Sequence, residues 1–235
     1  MLADVTDGLA EATASITKVF SGDAMSAAVT QRTARLMCAG NMSQLEEDTD
    51  LQLYDLDAAA TRTINSLAGA SVATDFLMVW ISIIGVPLLV LAVAGQWWRG
   101  SDRSHNRHVL VATGLSFLLG LAINQIILLF VHRIRPYDGG VTHLLIDRSS
   151  DPSFPSDHAT ATFAIAAGFL LHGMRRVGRW FLAAAVLIAI SRVYIGTHYV
   201  SDVLGGAATG IAAAMLVRAL YREGTRVDRL VTGIL

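Results

Sequence analysis

One cysteine, one lysine and four prolines are spread over 235 residues, and charged side chains make up only 16% of the chain. Cys38 alone forms neither an intrachain disulfide nor a cysteine metal cluster. Lys18 is the only lysine, so arginine supplies nearly all the permanent positive charge. A soluble domain normally carries about 25% charged residues. That shortfall, with 53% hydrophobic residues gathered in long blocks, puts the chain in a membrane. The net charge of −1 says nothing about partners, and no basic stripe suggests nucleic acid. No cluster of Cys, His or carboxylates calls for a metal, and no cofactor is expected. The first 20 residues lack a basic stretch followed by an apolar core, so no cleavable signal peptide is expected.

What is present is a series of apolar runs. A bilayer core needs about 20 mostly apolar residues per helix. Five segments answer to this: 76–98, 109–131, 159–171, 180–195 and 200–221. The third is short, and flanking residues can extend it. A sixth, less obvious span is allowed. The expected fold is all-α, a polytopic transmembrane helix bundle of about five to six spans with an N-terminal amphipathic helical segment. Residues 1–56 form that segment and residues 57–235 the membrane-embedded domain. The stretch 51–67 reads as an amphipathic helix lying on the membrane surface or against the bundle. Gly206 and Gly210 have the small-xxx-small spacing that lets the last helix pack closely, within its own bundle in preference to a dimer seam.

Arginines set the orientation. Arg99, Arg103 and Arg107, then Arg175, Arg176 and Arg179, then Arg218, Arg222, Arg226 and Arg229 alternate with the spans and fall on one side. By the positive-inside rule that side is cytoplasmic. The opposite side receives the loop 132–158 and the turn 196–199.

Three polar clusters sit at span ends on that outer side: HRIRPY at 132–137, SFPSDH at 153–158 and SRVYIGTHYVSD at 191–202. His198 and Asp202 are four apart, so a helical turn brings them together. A carboxylate on one ring nitrogen fixes the tautomer and leaves the other as nucleophile or base. Arg135 and Arg192 offer planar forks for phosphate oxygens. Ser156 and the N–H groups opening the third helix add neutral donors, and His158 can protonate a leaving oxygen. Together they suit a phosphoryl group, with arginines in the charge-stabilising role that Mg²⁺ takes elsewhere. Each cluster also has a plainer reading: arginines flanking a span, a turn with an N-cap, a structural His–Asp hydrogen bond. Arg192 resists it, because an ionisable residue within a span is costly and marks function.

These residues resemble the three signature motifs of the type-2 phosphatidic acid phosphatases, whose superfamily includes vanadium haloperoxidases. The matching residues are Arg135-Pro136, Pro155 to His158, and Ser191-Arg192 followed by His198 and Asp202. The third motif matches at every defining position. In the second, Asp157 stands where most members have glycine, which is similar to the bacitracin-resistance subgroup of undecaprenyl-diphosphate phosphatases. In the first, Leu128 stands where the family usually has lysine, so that cation is missing or is replaced by Arg133 or another group.

The resemblance implies an integral enzyme of the cytoplasmic membrane whose site faces away from the cytoplasm. It implies removal of one phosphate from an isoprenoid diphosphate, recycling the cell-wall carrier lipid without a metal. His198 would attack phosphorus to give a phosphohistidine, Asp202 would orient it and His158 would protonate the leaving group. Arg135, Ser156 and Arg192 would hold the phosphate, with Arg133 and Asp157 beside them. Two alternatives stand next to this: a phosphatase for phosphatidate or phosphatidylglycerol phosphate, and a non-enzymatic lipid or anion transporter. Asn124 and Gln125 within a span suit a polar pathway, or bridges between helices. The oligomeric state is not encoded in any of these features.

Overall fold

The computed structural model of the chain describes residues 42–98 and 103–233. Most of the N-terminal segment, residues 1–41, therefore lies outside the described residues. The described residues fall into two compact units, divided between Thr63 and Ile64. The described residues hold seven helices and no strand: α1 (Met42–Asn65), α2 (Val72–Ala94), α3 (Arg103–Leu128), α4 (Asp157–Leu171), α5 (Arg175–Tyr194), α6 (Val200–Leu220) and α7 (Arg226–Thr232). In the first unit, Leu51, Leu53, Tyr54 and Leu56 are exposed while Ala58 and Thr61 are buried.

Helices α2, α3, α5 and α6 are long and apolar enough to cross a membrane. At 1.5 Å per residue each exceeds or approaches the roughly 30 Å hydrocarbon core. Phe76, Leu77, Leu88 and Leu91 along α2 stay exposed, as they must where lipid chains replace water. Pro87 sits inside α2, a residue such apolar helices tolerate.

α4 is the exception, with 15 residues, about 22 Å by the same rise. Flanking residues do not extend it. It begins at Asp157 and ends at Leu171, and past the capping His172, Gly173 takes φ +86° and turns the chain. Ten of its residues are buried, against α6, α5 and α3. A helix enclosed by others need not match the lipid thickness.

Glycines allow this close packing. A Cβ on Gly206 would run into the Ser156 carbonyl oxygen and one on Gly210 into that of Thr160. Both glycines thus seat α6 against α4, within the bundle. Thr160 Oγ1 also donates to the Gly206 carbonyl at 3.0 Å.

The two ends of the bundle differ in character. At one end, His108 near the start of α3 meets Asp228 of α7 at 2.8 Å and stacks on Tyr221. Arg218 of α6 donates to the Leu171 carbonyl at the end of α4. Behind this end lies an apolar core of Val109, Leu110, Ile165, Phe169 and Phe181. The other end gathers the last turn of α3, the start of α4, the end of α5 and the turn into α6. The long loop between α3 and α4 closes over it. Asn65 pins that loop: its amide donates to the His143 and Tyr194 carbonyls at 2.9 and 2.7 Å and accepts from His143 N–H at 2.7 Å. Gly196 has φ +84°, and a Cβ there would strike the His143 carbonyl. Only glycine suits that turn, which delivers Thr197 and His198 to the site.

Candidate active site

A cavity of about 430 Å³ opens at this second end. Its walls include Arg135, Asp157, His158, Arg192 and His198. Five of the eight residues singled out by sequence therefore face one space, although they come from three clusters far apart in the chain. Leu128 lines it as well, so the position of the family's lysine presents an apolar wall.

The arginines are held before any ligand arrives. Arg135 Nε donates to the Asp151 carbonyl at 2.8 Å and Nη1 to the Thr197 carbonyl at 3.2 Å. Arg192, at 8% exposure, donates from Nη1 to Ser82 Oγ at 2.5 Å, which ties α5 to α2. Its Nε is buried with no partner among the described residues, and so is Ser156 Oγ. Ser156 is the N-cap of α4 but makes no side-chain capping bond. It lies between the cavity-lining Pro155 and Asp157. A buried hydroxyl at a helix N-terminus and a buried guanidinium N–H fit an anion.

His198 lies in the turn before α6, not on the helix. Its Nδ1 is 2.8 Å from the Ser153 carbonyl, an arrangement that protonates Nδ1 and leaves Nε2 as the basic nitrogen. Asp202 is farther, 3.7 Å from the same Nδ1. The direct carboxylate bond expected from the four-residue spacing thus gives way to a carbonyl, because the helical turn it assumed starts only at Val200. Asp202 is fully buried and saturated. Its Oδ2 accepts from Ser153 Oγ at 2.5 Å and Tyr199 N–H at 2.8 Å, and its Oδ1 from Arg133 at 2.6 Å. Burial holds the His198 ring well below its ordinary 6.5, with the Arg192 and Arg135 charges adding to the effect and Asp202 opposing it. The ring is therefore neutral near pH 7.

Asp157 accepts from Asn124 Nδ2 at 2.8 Å, and the same amide reaches Thr160 Oγ1 at 2.8 Å. Asn124 is a bridge from α3 to α4, while Gln125 lines the cavity. Ser153 escaped sequence reasoning as a functional residue. The signal was its place in SFPSDH, but its two roles, one by carbonyl and one by hydroxyl, depend on a tertiary approach that residue type does not record.

The PAP2 superfamily profile matches residues 109–226, which contain all three motifs. Undecaprenyl-diphosphatase BcrC of Bacillus subtilis (strain 168) is 34% identical over 155 residues, 66% of this chain and 79% of that protein. Phosphatidylglycerophosphatase B of the same organism is 31% identical over 143 residues, 57% of this chain and 66% of that protein. In fold, the chain is similar to the crystal structure of a transmembrane PAP2 type phosphatidylglycerolphosphate phosphatase from Bacillus subtilis. The TM-score is 0.54 at 22% identity, covering 85% of this chain and 97% of that one. With its motifs assembled around one cavity and the profile spanning them, the chain belongs to the PAP2 superfamily and is a multi-pass membrane phosphatase of that family.

Proposed function

We propose that the protein hydrolyses a polyprenyl diphosphate of the undecaprenyl type to the monophosphate, through a phosphohistidine on His198. The observation that carries this reading is the convergence of two histidines and two arginines on one cavity at one end of a helix bundle. Similarity to an undecaprenyl-diphosphatase supports the substrate class.

In this mechanism Nε2 of neutral His198 attacks the terminal phosphorus while the bond to the bridging oxygen breaks. His158 gives its proton to that oxygen as the lipid monophosphate leaves. Deprotonated His158 then takes a proton from water as its oxygen attacks the phosphohistidine, releasing inorganic phosphate and restoring both rings. Arg135, Arg192 and Ser156 hold the non-bridging oxygens, where charge grows in the transition state. Asp157 borders the phosphate, with Asn124 holding it and the Arg192 charge offsetting its own. The arginine-rich end, with Arg103, Arg107, Arg175, Arg176 and Arg179, faces the cytoplasm of a cell membrane. The site then faces outward, where spent carrier lipid is recycled for cell-wall synthesis.

A second reading, a glycerolipid phosphatase, draws on the similarity to phosphatidylglycerophosphatase B. Phosphate release by purified protein from undecaprenyl diphosphate, phosphatidate and phosphatidylglycerol phosphate, with chelator present, separates the two. Undecaprenyl diphosphate is expected to give the highest kcat/KM, and His198→Ala to abolish release. Faster turnover of a glycerolipid contradicts the substrate class, and an active His198→Ala contradicts the mechanism.

A further inference from the structure

Arg133 stands two residues before the phosphate-facing Arg135 and is the obvious stand-in for the lysine that Leu128 replaces. Its contacts point elsewhere. Nη1 donates to Asp202 Oδ1 at 2.6 Å and to Ser201 Oγ at 2.5 Å. The guanidinium carbon lies 4.0 Å from the centre of the Tyr199 ring, a cation–π stack that fixes the plane of the fork. The backbone joins in, since the Arg133 carbonyl accepts from Ser153 N–H at 2.8 Å.

Ser153 in turn grips both members of the histidine–carboxylate pair. Its hydroxyl donates to Asp202 Oδ2 at 2.5 Å and its carbonyl lies 2.8 Å from His198 Nδ1. Arg133, Ser153, Asp202 and His198 thus form one closed network behind the cavity. The carboxylate is fully buried, and a buried charge without a partner is costly. Arg133 supplies that partner and fixes the carboxylate from the side away from the ring. When His198 is phosphorylated on Nε2 its ring gains positive charge, and Asp202, 3.7 Å from Nδ1, is the anion held ready for it.

We propose that Arg133 is a positioning residue for the His198 nucleophile, acting through Asp202 together with Ser153, and not a ligand of the substrate phosphate. The cavity's own cations are Arg135 and Arg192, and the lysine missing at Leu128 has no substitute in Arg133. This inference rests on the phosphohistidine reading above but concerns a different residue and a different observable.

The test is a double-mutant cycle on kcat joined to direct phosphate binding. Arg133→Gln, Asp202→Asn and the double variant are compared with wild type for turnover of undecaprenyl diphosphate. Inorganic phosphate is titrated into each by calorimetry, with Arg135→Gln as the reference for a lost ligand. Arg133→Gln is expected to lower kcat about 10- to 100-fold, the range seen when groups orienting a histidine ligand are removed. Its phosphate Kd should stay within about twofold of wild type, while Arg135→Gln weakens binding by at least the roughly tenfold that 1.4 kcal/mol represents. In the Asp202→Asn background Arg133→Gln should add little, because the group it acts on is already altered. Arg133→Lys should restore part of the loss, keeping the charge without the fork.

Should Arg133→Gln alone fail to fold, the double variant removes the unpaired charge, and Arg133→Lys carries the comparison. A phosphate Kd that rises in an Arg133 variant as it does in Arg135→Gln overturns the proposal. So does a full multiplicative loss in the Asp202→Asn background, or an unchanged kcat. Phosphate binding needs no turnover, so a wild type inactive on the polyprenyl diphosphate would reject the substrate reading while leaving this one measurable.

Discussion

In the proposed mechanism His198 is the nucleophile, and its surroundings predict when it works. Burial first, and then Arg192 and Arg135, hold its ring below the ordinary 6.5. A nucleophile must be neutral, so the acid limb of kcat/KM that reports protonation of His198 lies below 6.5. Removing a nearby positive charge lets the pKa rise, so Arg135→Gln should move the acid limb to higher pH in its residual activity. A wild-type acid limb at or above 6.5 in a pH–rate profile would contradict this. At this scale the structure brings His158, His198, Arg135, Arg192 and Asp157, all singled out in the sequence, to one cavity. The sequence was a poor guide to partners. The four-residue spacing suggested a His198–Asp202 bond, but the ring precedes the helix and meets a backbone carbonyl of Ser153 instead. Carbonyl contacts leave no trace in side-chain type.

Among the elements, the apolar runs located the spans well and their ends less well. The second run begins at Val109, whereas α3 begins at Arg103. The extra polar turn is helical because His108 has Asp228 and Tyr221 to pack against, a tertiary reward invisible to hydropathy. The short α4 is explained by its enclosure, and enclosure depends on Gly206 and Gly210. At Gly210 an added Cβ would meet the Thr160 carbonyl and lie 2.8 Å from Ala164 N. Both are backbone of α4 and cannot swing aside. Gly210→Ala should therefore destabilise the protein by about 1–3 kcal/mol, the usual cost of overpacking. It should lower turnover as well, since α6 carries Asp202 and α4 carries His158. Thermal unfolding in detergent checks the first and phosphate release the second. Wild-type stability with loss only of self-association would assign the glycines to a seam between copies instead.

For the whole molecule, the separation of its two ends is the organising feature. Arginine-bearing turns, the His108–Asp228 contact and α7 occupy one end; the three motifs and the cavity occupy the other. Loop charge and motif position had suggested that division independently, so the architecture of residues 64–235 was largely legible. What was not legible is how the loop between α3 and α4 closes the site. Its hold comes from Asn65 and from the turn at Gly196, far apart in sequence and ordinary in composition. The organisation has a purpose only if the buried ring of His198 receives a phosphoryl group from a lipid delivered at that end. The most direct measurement is rapid alkaline quenching of the purified protein turning over undecaprenyl diphosphate labelled in its terminal phosphate, followed by peptide mapping. Acid-labile label on His198, absent from His198→Ala, is the predicted result. Continued turnover with no label on His198, or label on another residue, would contradict it.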